Sequence, residues 1–263
     1  MRADAPASAA PVGRNRALLG AASAATLAGC WWSLWRHSGG MAVHDVLAAH
    51  PVAGTAAAYP ALVGMWLVMS VAMMLPPVLP WLMLMARTSG EGALLHGVQR
   101  AGSSGALGHA AVFAGGYLLL WAAYSAVAAA SQLLVQAAVT VDLAARGLDG
   151  VAGGAVLVTA GIVQLTTFKA ACLAKCRSPI GFFLTHWRPG PRAALAMGVR
   201  HGVHCLGCCW ALMGVAFAVG VMNVFWMAIL TAAIVVEQVA PRGDVLARLF
   251  GVSLVVWGTV VMV

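Results

Sequence analysis

Charge is what this sequence has least of: Asp, Glu, Lys and Arg make up 8% of its 263 residues, seven of them acidic and fifteen basic. A soluble domain carries about 25% charged residues, so this chain has too little polar surface to clothe a water-facing fold. The punctuation of several enzyme classes is missing as well. There is no Gly-rich loop with its phosphate-binding Lys, no HExxH pair on a helix and no nucleophile elbow. ATP-driven pumping by this chain alone is therefore not expected. The run Cys205-Leu206-Gly207-Cys208-Cys209 is no haem attachment site, because His would have to stand where Cys209 does. No internal repeat is visible.

Apolar residues are what the chain has in excess, at 62% of the sequence and a mean hydropathy of +0.91. Runs of roughly 20 residues fit a hydrocarbon core of about 30 Å, where helices satisfy their own backbone groups. The expected fold is all-α, a polytopic transmembrane helix bundle. Seven spans are read as Ala17 to Trp35, Tyr59 to Ala86, His109 to Gln136, Val151 to Phe168, Gly198 to Val219, Val224 to Val239 and Val245 to Val263. Residues 1–16, with Pro6, Pro11, Arg14 and Arg16, read as a flexible cytoplasmic tail, residues 17–263 as a single transmembrane domain, and Gly102 to Gly105 as a loop.

Orientation follows from Lys and Arg on alternate sides. With the amino terminus inside, one side collects Arg2, Arg14, Arg16, Arg87, Arg100, Lys169, Lys175, Arg177, Arg188, Arg192, Arg200, Arg242 and Arg248, and the other only Arg36 and Arg146, thirteen against two. That bias places the amino terminus in the cytoplasm and the carboxyl terminus outside, as a multi-pass protein of a bacterial inner membrane. The net charge of +8 then meets anionic membrane lipids rather than nucleic acid. Leu27-Ala28-Gly29-Cys30 resembles a lipoprotein cleavage box, but Trp31 and Trp32 prolong the apolar run to Trp35, so the first span reads as a retained anchor.

In the second span Pro76, Pro77 and Pro80 free backbone carbonyls and predict a kink. Met65, Met69 and Met73 recur every four residues and share a face. Packing accounts for such a row, and so does a path of thioethers for a soft cation such as Cu(I).

Five of the six cysteines fall between positions 172 and 209. Cys172 and Cys176 are four apart, just past the fourth span, and share a face if that helix continues. On the fifth span His201, Cys205 and Cys209 form one row, with His204 and Cys208 alongside. An antiparallel hairpin turning near Gly220 to Asn223 puts Glu237 level with Leu206, where it can face the thiols. At about 1.5 Å per residue, Cys205 lies about 10 Å inward from the start of a helix beginning at Gly198. An intramembrane carboxylate is a functional candidate by default. Plainer readings stand beside these: buried thiols pack as small hydrophobes, His201 and His204 bond headgroups, His109 and His186 lie in loops or at the interface, and Asn223 caps the sixth helix. On the cytoplasmic side thiols stay reduced, which favours metal binding or catalytic thiol chemistry over a structural disulfide. Four thiolates from Cys172, Cys176, Cys205 and Cys208 suffice for zinc or an iron–sulfur cluster, although their spacing matches no standard run.

Met73-Met74-Leu75-Pro76, the segment from Phe168 through Cys172 and Cys176 to Pro179, His201 with Cys205-Leu206-Gly207-Cys208-Cys209-Trp210 to Met213, Gly220-Val221-Met222-Asn223 with Trp226-Met227, and Glu237 together resemble a bacterial family of predicted metal-binding integral membrane proteins of unknown function. The resemblance implies a basic residue beside the late glutamate; this chain has Gln238 there.

The leading expectation is a membrane protein that binds a transition metal ion, copper(I) before zinc, through Cys205, Cys208 and Cys209 with Cys172 and Cys176. His201, His204, Glu237 and Met73 are candidate further ligands. It would serve metal handling or insertion, with a membrane or periplasmic metalloprotein as partner. The alternatives are a thiol–disulfide oxidoreductase using the same cysteines, and an assembly subunit without chemistry.

Overall fold

The computed structural model describes residues 10–38, 54–91, 103–138, 143 and 147–263, and no strand occurs among them. Its helices are α1 (Ala10–Ser38), α2 (Gly54–Glu91), α3 (Ser103–Ala138), α4 (Gly150–Leu165), α5 (Thr167–Cys176), α6 (Pro179–His186), α7 (Pro191–Gly214), α8 (Ala216–Val219), α9 (Val224–Val239) and α10 (Gly243–Met262). Among the described residues five stretches are long and apolar enough to cross a membrane: Asn15–His37, Ala58–Ala86, Leu107–Ala138, Pro191–Val219 and Gly243–Met262. α4 and α5 reach that length only as a pair, bent by 66° at their junction as in a broken span or a re-entrant loop, and α9 is apolar but shorter.

Several expected boundaries move. The helix of the first span starts at Ala10 rather than Ala17, so Pro11 to Arg16 are helical and not a tail. Proline near a helix start gives up only an N–H that would have no intrahelical partner anyway. Ser103 to Gly105, expected in a loop, open α3. The rest of the tail, Gly102, and Arg2, Arg100 and Arg146 of the charge count lie outside the described residues. α2 runs as one helix through Pro76, Pro77 and Pro80; Pro77 withholds the N–H that would have met the Met73 carbonyl.

The fourth span does not continue into the Cys172–Cys176 segment. Thr166 adopts an extended conformation (φ −74°, ψ 151°) and its side chain accepts from Lys169 N, which ends α4 and starts α5 in a new direction. Asn223 caps α9 as its position before the apolar run predicts, its Oδ1 accepting from Trp226 N at 3.3 Å, after a turn at Gly220 whose φ of 96° suits glycine.

Glycines set how closely the helices approach. α3 and α7 run parallel along a seam where a Cβ on Gly198 would strike Phe113 O and one on Gly116 would strike Leu195 O. α4 and α10 run antiparallel with Gly154 against Gly258 and Gly161 against Gly251; a Cβ on Gly161 would lie 2.6 Å from Gly251 O. Small residues at helix seams let backbones touch, which is how helices associate where burial in water is not the drive. Two polar pairs in the core tie helices together: Trp66 Nε1 donates to Gln132 Oε1 at 2.8 Å, and Ser70 meets Ser125 at 3.3 Å, joining α2 to α3. Arg177, just past α5, closes the far end of α9 by donating to Glu237 O at 3.3 Å, Ala240 O at 2.6 Å and Pro241 O at 2.8 Å. These are last-turn carbonyls that the helix itself leaves without donors.

Candidate metal centre

Four of the five clustered cysteines meet in the interior. Lys169, Leu173 and Cys176 form the buried stripe of α5, and His201, Cys205, Cys208 and Cys209 lie on the buried side of α7. Cys208 Sγ is 3.7 Å from Cys176 Sγ and 3.3 Å from Cys209 Sγ. Cys205 lies on the same buried side of α7, its carbonyl accepting from the Cys208 thiol at 3.2 Å. All four are free thiols and buried.

A hydroxyl and an amide lie beside them. Tyr117 on α3 donates to the Met74 carbonyl on α2 at 3.4 Å, and its hydroxyl lies 3.3 Å from Cys205 Sγ, where either group can donate. Gln238 on α9 places Nε2 3.4 Å from Cys209 Sγ and 4.0 Å from Cys205 Sγ.

Beside the thiols lies a charged group that sequence reasoning missed. Lys169 Nζ donates to Glu237 Oε2 at 2.7 Å and to Cys208 O at 2.6 Å, and Gln164 Nε2 donates to Glu237 Oε1 at 2.6 Å. Lys169 and Glu237 are each 1% exposed. Both carboxylate oxygens of Glu237 are thus engaged, one by Lys169 and one by Gln164. Lys169 also leaves the count of surface charges that set topology, although the bias survives without it.

The remaining candidates separate by position. Cys172 is half-buried and packs against Gly207, where a Cβ would lie 2.8 Å from its Sγ. His201 is buried in an aromatic box, its ring stacked 3.7 Å from Trp81 and 5.4 Å from Tyr117, and its Nδ1 has no hydrogen-bond partner. That orphaned nitrogen, one turn from Cys205, replaces the expected headgroup contact. His204 is half-buried, near Arg200, Lys175 and His186. Met69 and Met73 are buried in the core, while Met65 is half-buried. The stretch that holds Met73 and Met74 reaches the thiols through Tyr117. Finally, α7 begins at Pro191 instead of Gly198, so Cys205 stands about 21 Å from the helix start at about 1.5 Å per residue.

Among the described residues no group of three or more His, Cys, Asp or Glu is arranged to hold a metal ion as it stands. The reason is contact between the sulfurs themselves. A tetrahedral thiolate shell with bonds of about 2.3 Å keeps its sulfurs about 3.8 Å apart. The Cys176–Cys208 distance fits that spacing, whereas the Cys208 and Cys209 sulfurs, at 3.3 Å, stand closer than it allows. Ligation through both of them therefore requires those sulfurs to move apart. No curated protein and no solved structure matches the chain. The sequence model of one family, PpoB2, described as copper chaperone, matches residues 63–261.

Proposed function

We propose, from the premise that the chain belongs to the PpoB2 copper chaperone family, that it is a multi-pass protein of a bacterial inner membrane which binds Cu(I) as cargo on a buried thiol cluster. The observation that carries this reading is the meeting of Cys176 from α5 with Cys205, Cys208 and Cys209 from α7. The family match spans all four. Thiolate sulfur selects Cu(I) or Zn(II) over hard cations. Zinc needs a complete tetrahedral set, while Cu(I) is served by fewer ligands, which suits a cluster that encloses no preformed tetrahedral void. His201, with a free Nδ1 one turn away, is an added donor for the ion on its way in or out.

The membrane setting is supported by the long apolar helices and by outward-facing side chains such as Leu119, Val127, Leu134, Val252 and Val256, all exposed in the isolated chain. The basic residues left on one side orient the amino terminus to the cytoplasm and meet anionic lipid. The buried methionines of α2, joined to Cys205 through Tyr117, supply a soft-donor route toward a membrane or periplasmic metalloprotein that receives the ion. Neither the oxidoreductase reading nor the assembly-subunit reading gains support from the family match.

Full-length protein purified in detergent and titrated with Cu(I) against a chromophoric chelator, without oxygen, tests the proposal. Wild type should take copper from the chelator and Cys205→Ser/Cys208→Ser should not. Equal copper uptake by both proteins would end the reading.

A further inference from the structure

We infer that Lys169 is a positioning residue that balances the charge of the thiol cluster when it holds metal, and that Glu237 is the counter-ion that keeps the ammonium in place when it does not. This rests on the copper reading above and adds to it a residue that is not a ligand.

Among the described residues Lys169 is the one buried Lys or Arg. Taking an ammonium out of water costs several kcal/mol even after relaxation, and the junction it occupies is already tied by Arg177 at the end of α9. A brace alone needs no second charge there. Position points to a different task. Nζ lies on the carbonyl of Cys208, the residue whose sulfur touches both Cys176 and Cys209.

Without metal, Lys169 and Glu237 cancel each other's charge. When two thiols bind Cu(I), two S–H bonds are lost, two protons leave, and two Cu–S bonds form. The product carries one net negative charge, and a third thiolate adds another. In an apolar interior such a charge needs an opposite charge close by. The Tyr117 and Gln238 donors are neutral, so Lys169 supplies it. Glu237 is held on its far side by Gln164, and so opposes Lys169 without approaching the sulfurs.

A purely structural ion pair makes different predictions. Removing either partner of such a pair strands the other, and replacing both by neutral groups of similar size restores the fold. The decisive protein is therefore Lys169→Met/Glu237→Gln, full length, titrated with Cu(I) against bicinchoninate without oxygen. Our expectation is a near-normal thermal midpoint with Cu(I) bound at least about tenfold more weakly than by wild type, equivalent to about 1.4 kcal/mol. Affinity within about twofold of wild type would overturn the inference. If that protein does not fold, Glu237→Gln alone decides. Affinity tighter than wild type supports charge balancing by Lys169, and equal or weaker affinity overturns it. Cys205→Ser/Cys208→Ser in the same titration separates the two levels. Should it bind as wild type does, the thiol site itself is gone; should it lose copper while the Lys169/Glu237 double variant keeps it, only the role of Lys169 is lost.

Discussion

Gly115 and Gly116 are neighbours on α3, and replacing each by alanine isolates the contact that holds α3 to α7. An ideal Cβ on Gly115 meets nothing within 4 Å, whereas one on Gly116 strikes Leu195 O and lies 3.0 Å from Val199 N and 3.2 Å from Leu195 C. Every one of those atoms is backbone, so no side chain can swing aside and the helices must part. A gap of roughly 0.5–1 Å forfeits about a quarter to a half of each dispersion contact along the seam, and overpacking of this kind costs about 1–3 kcal/mol. Alanine also favours the helix over glycine by about 1 kcal/mol. That gain is common to both variants, so the difference between them reports the steric cost alone. At about 2–4 °C per kcal/mol for a chain of this size, Gly116→Ala should melt roughly 3–10 °C below Gly115→Ala. Thermal unfolding of the two proteins in one detergent, followed by circular dichroism, measures it. Because Tyr117 follows Gly116 and its hydroxyl reaches Cys205 Sγ, Gly116→Ala should also weaken Cu(I) binding while Gly115→Ala should not. Midpoints within a degree of each other would refute the close-packed seam.

Two further substitutions probe the neighbourhood of the thiols. Arg177→Ala removes three donors from the end of α9 and should cost about 1–3 kcal/mol, discounted because the side chain is partly exposed; hydrogen exchange should rise at amides packed around Val236 to Gly243 and stay unchanged near Met227. Cys172→Ser should leave Cu(I) affinity within about twofold of wild type. Cys176→Ser should weaken it at least about tenfold, with both read by chelator competition. Equal effects at the two positions would place Cys172 in the site.

The apolar runs made the long helices legible, because continuous hydrophobicity over a span's length leaves few other folds. Their ends were less legible. Pro11 to Arg16 and Pro191 to Met197 are helical, yet hydropathy marks only the stretch with apolar surroundings, and Arg and Ala are good helix formers whatever surrounds them. The break at Thr166 is a local event, one threonine accepting from Lys169 N, and it decides that Cys176 enters the cluster while Cys172 packs on Gly207. Cys205, Cys208 and Cys209 were readable from their helical spacing. Lys169 was not: it reads as one more basic residue at a span's end, and its partner Glu237 is 68 positions away. The available signal was the pairing of a lone late carboxylate with a lysine in an apolar stretch at matching depth. Gln238, where the resemblance expects a basic residue, donates to the thiols instead, and the cation comes from another helix. Tyr117 carried no signal in the sequence at all, since a tyrosine in an apolar run reads as packing.

X-ray absorption at the copper edge, on full-length protein carrying one equivalent of Cu(I), tests most directly that thiols from α5 and α7 share a single ion. The account predicts a first shell dominated by sulfur that loses a sulfur ligand in Cys176→Ser and collapses in Cys205→Ser/Cys208→Ser. A shell of nitrogen and oxygen, or a sulfur shell indifferent to Cys176, would contradict it.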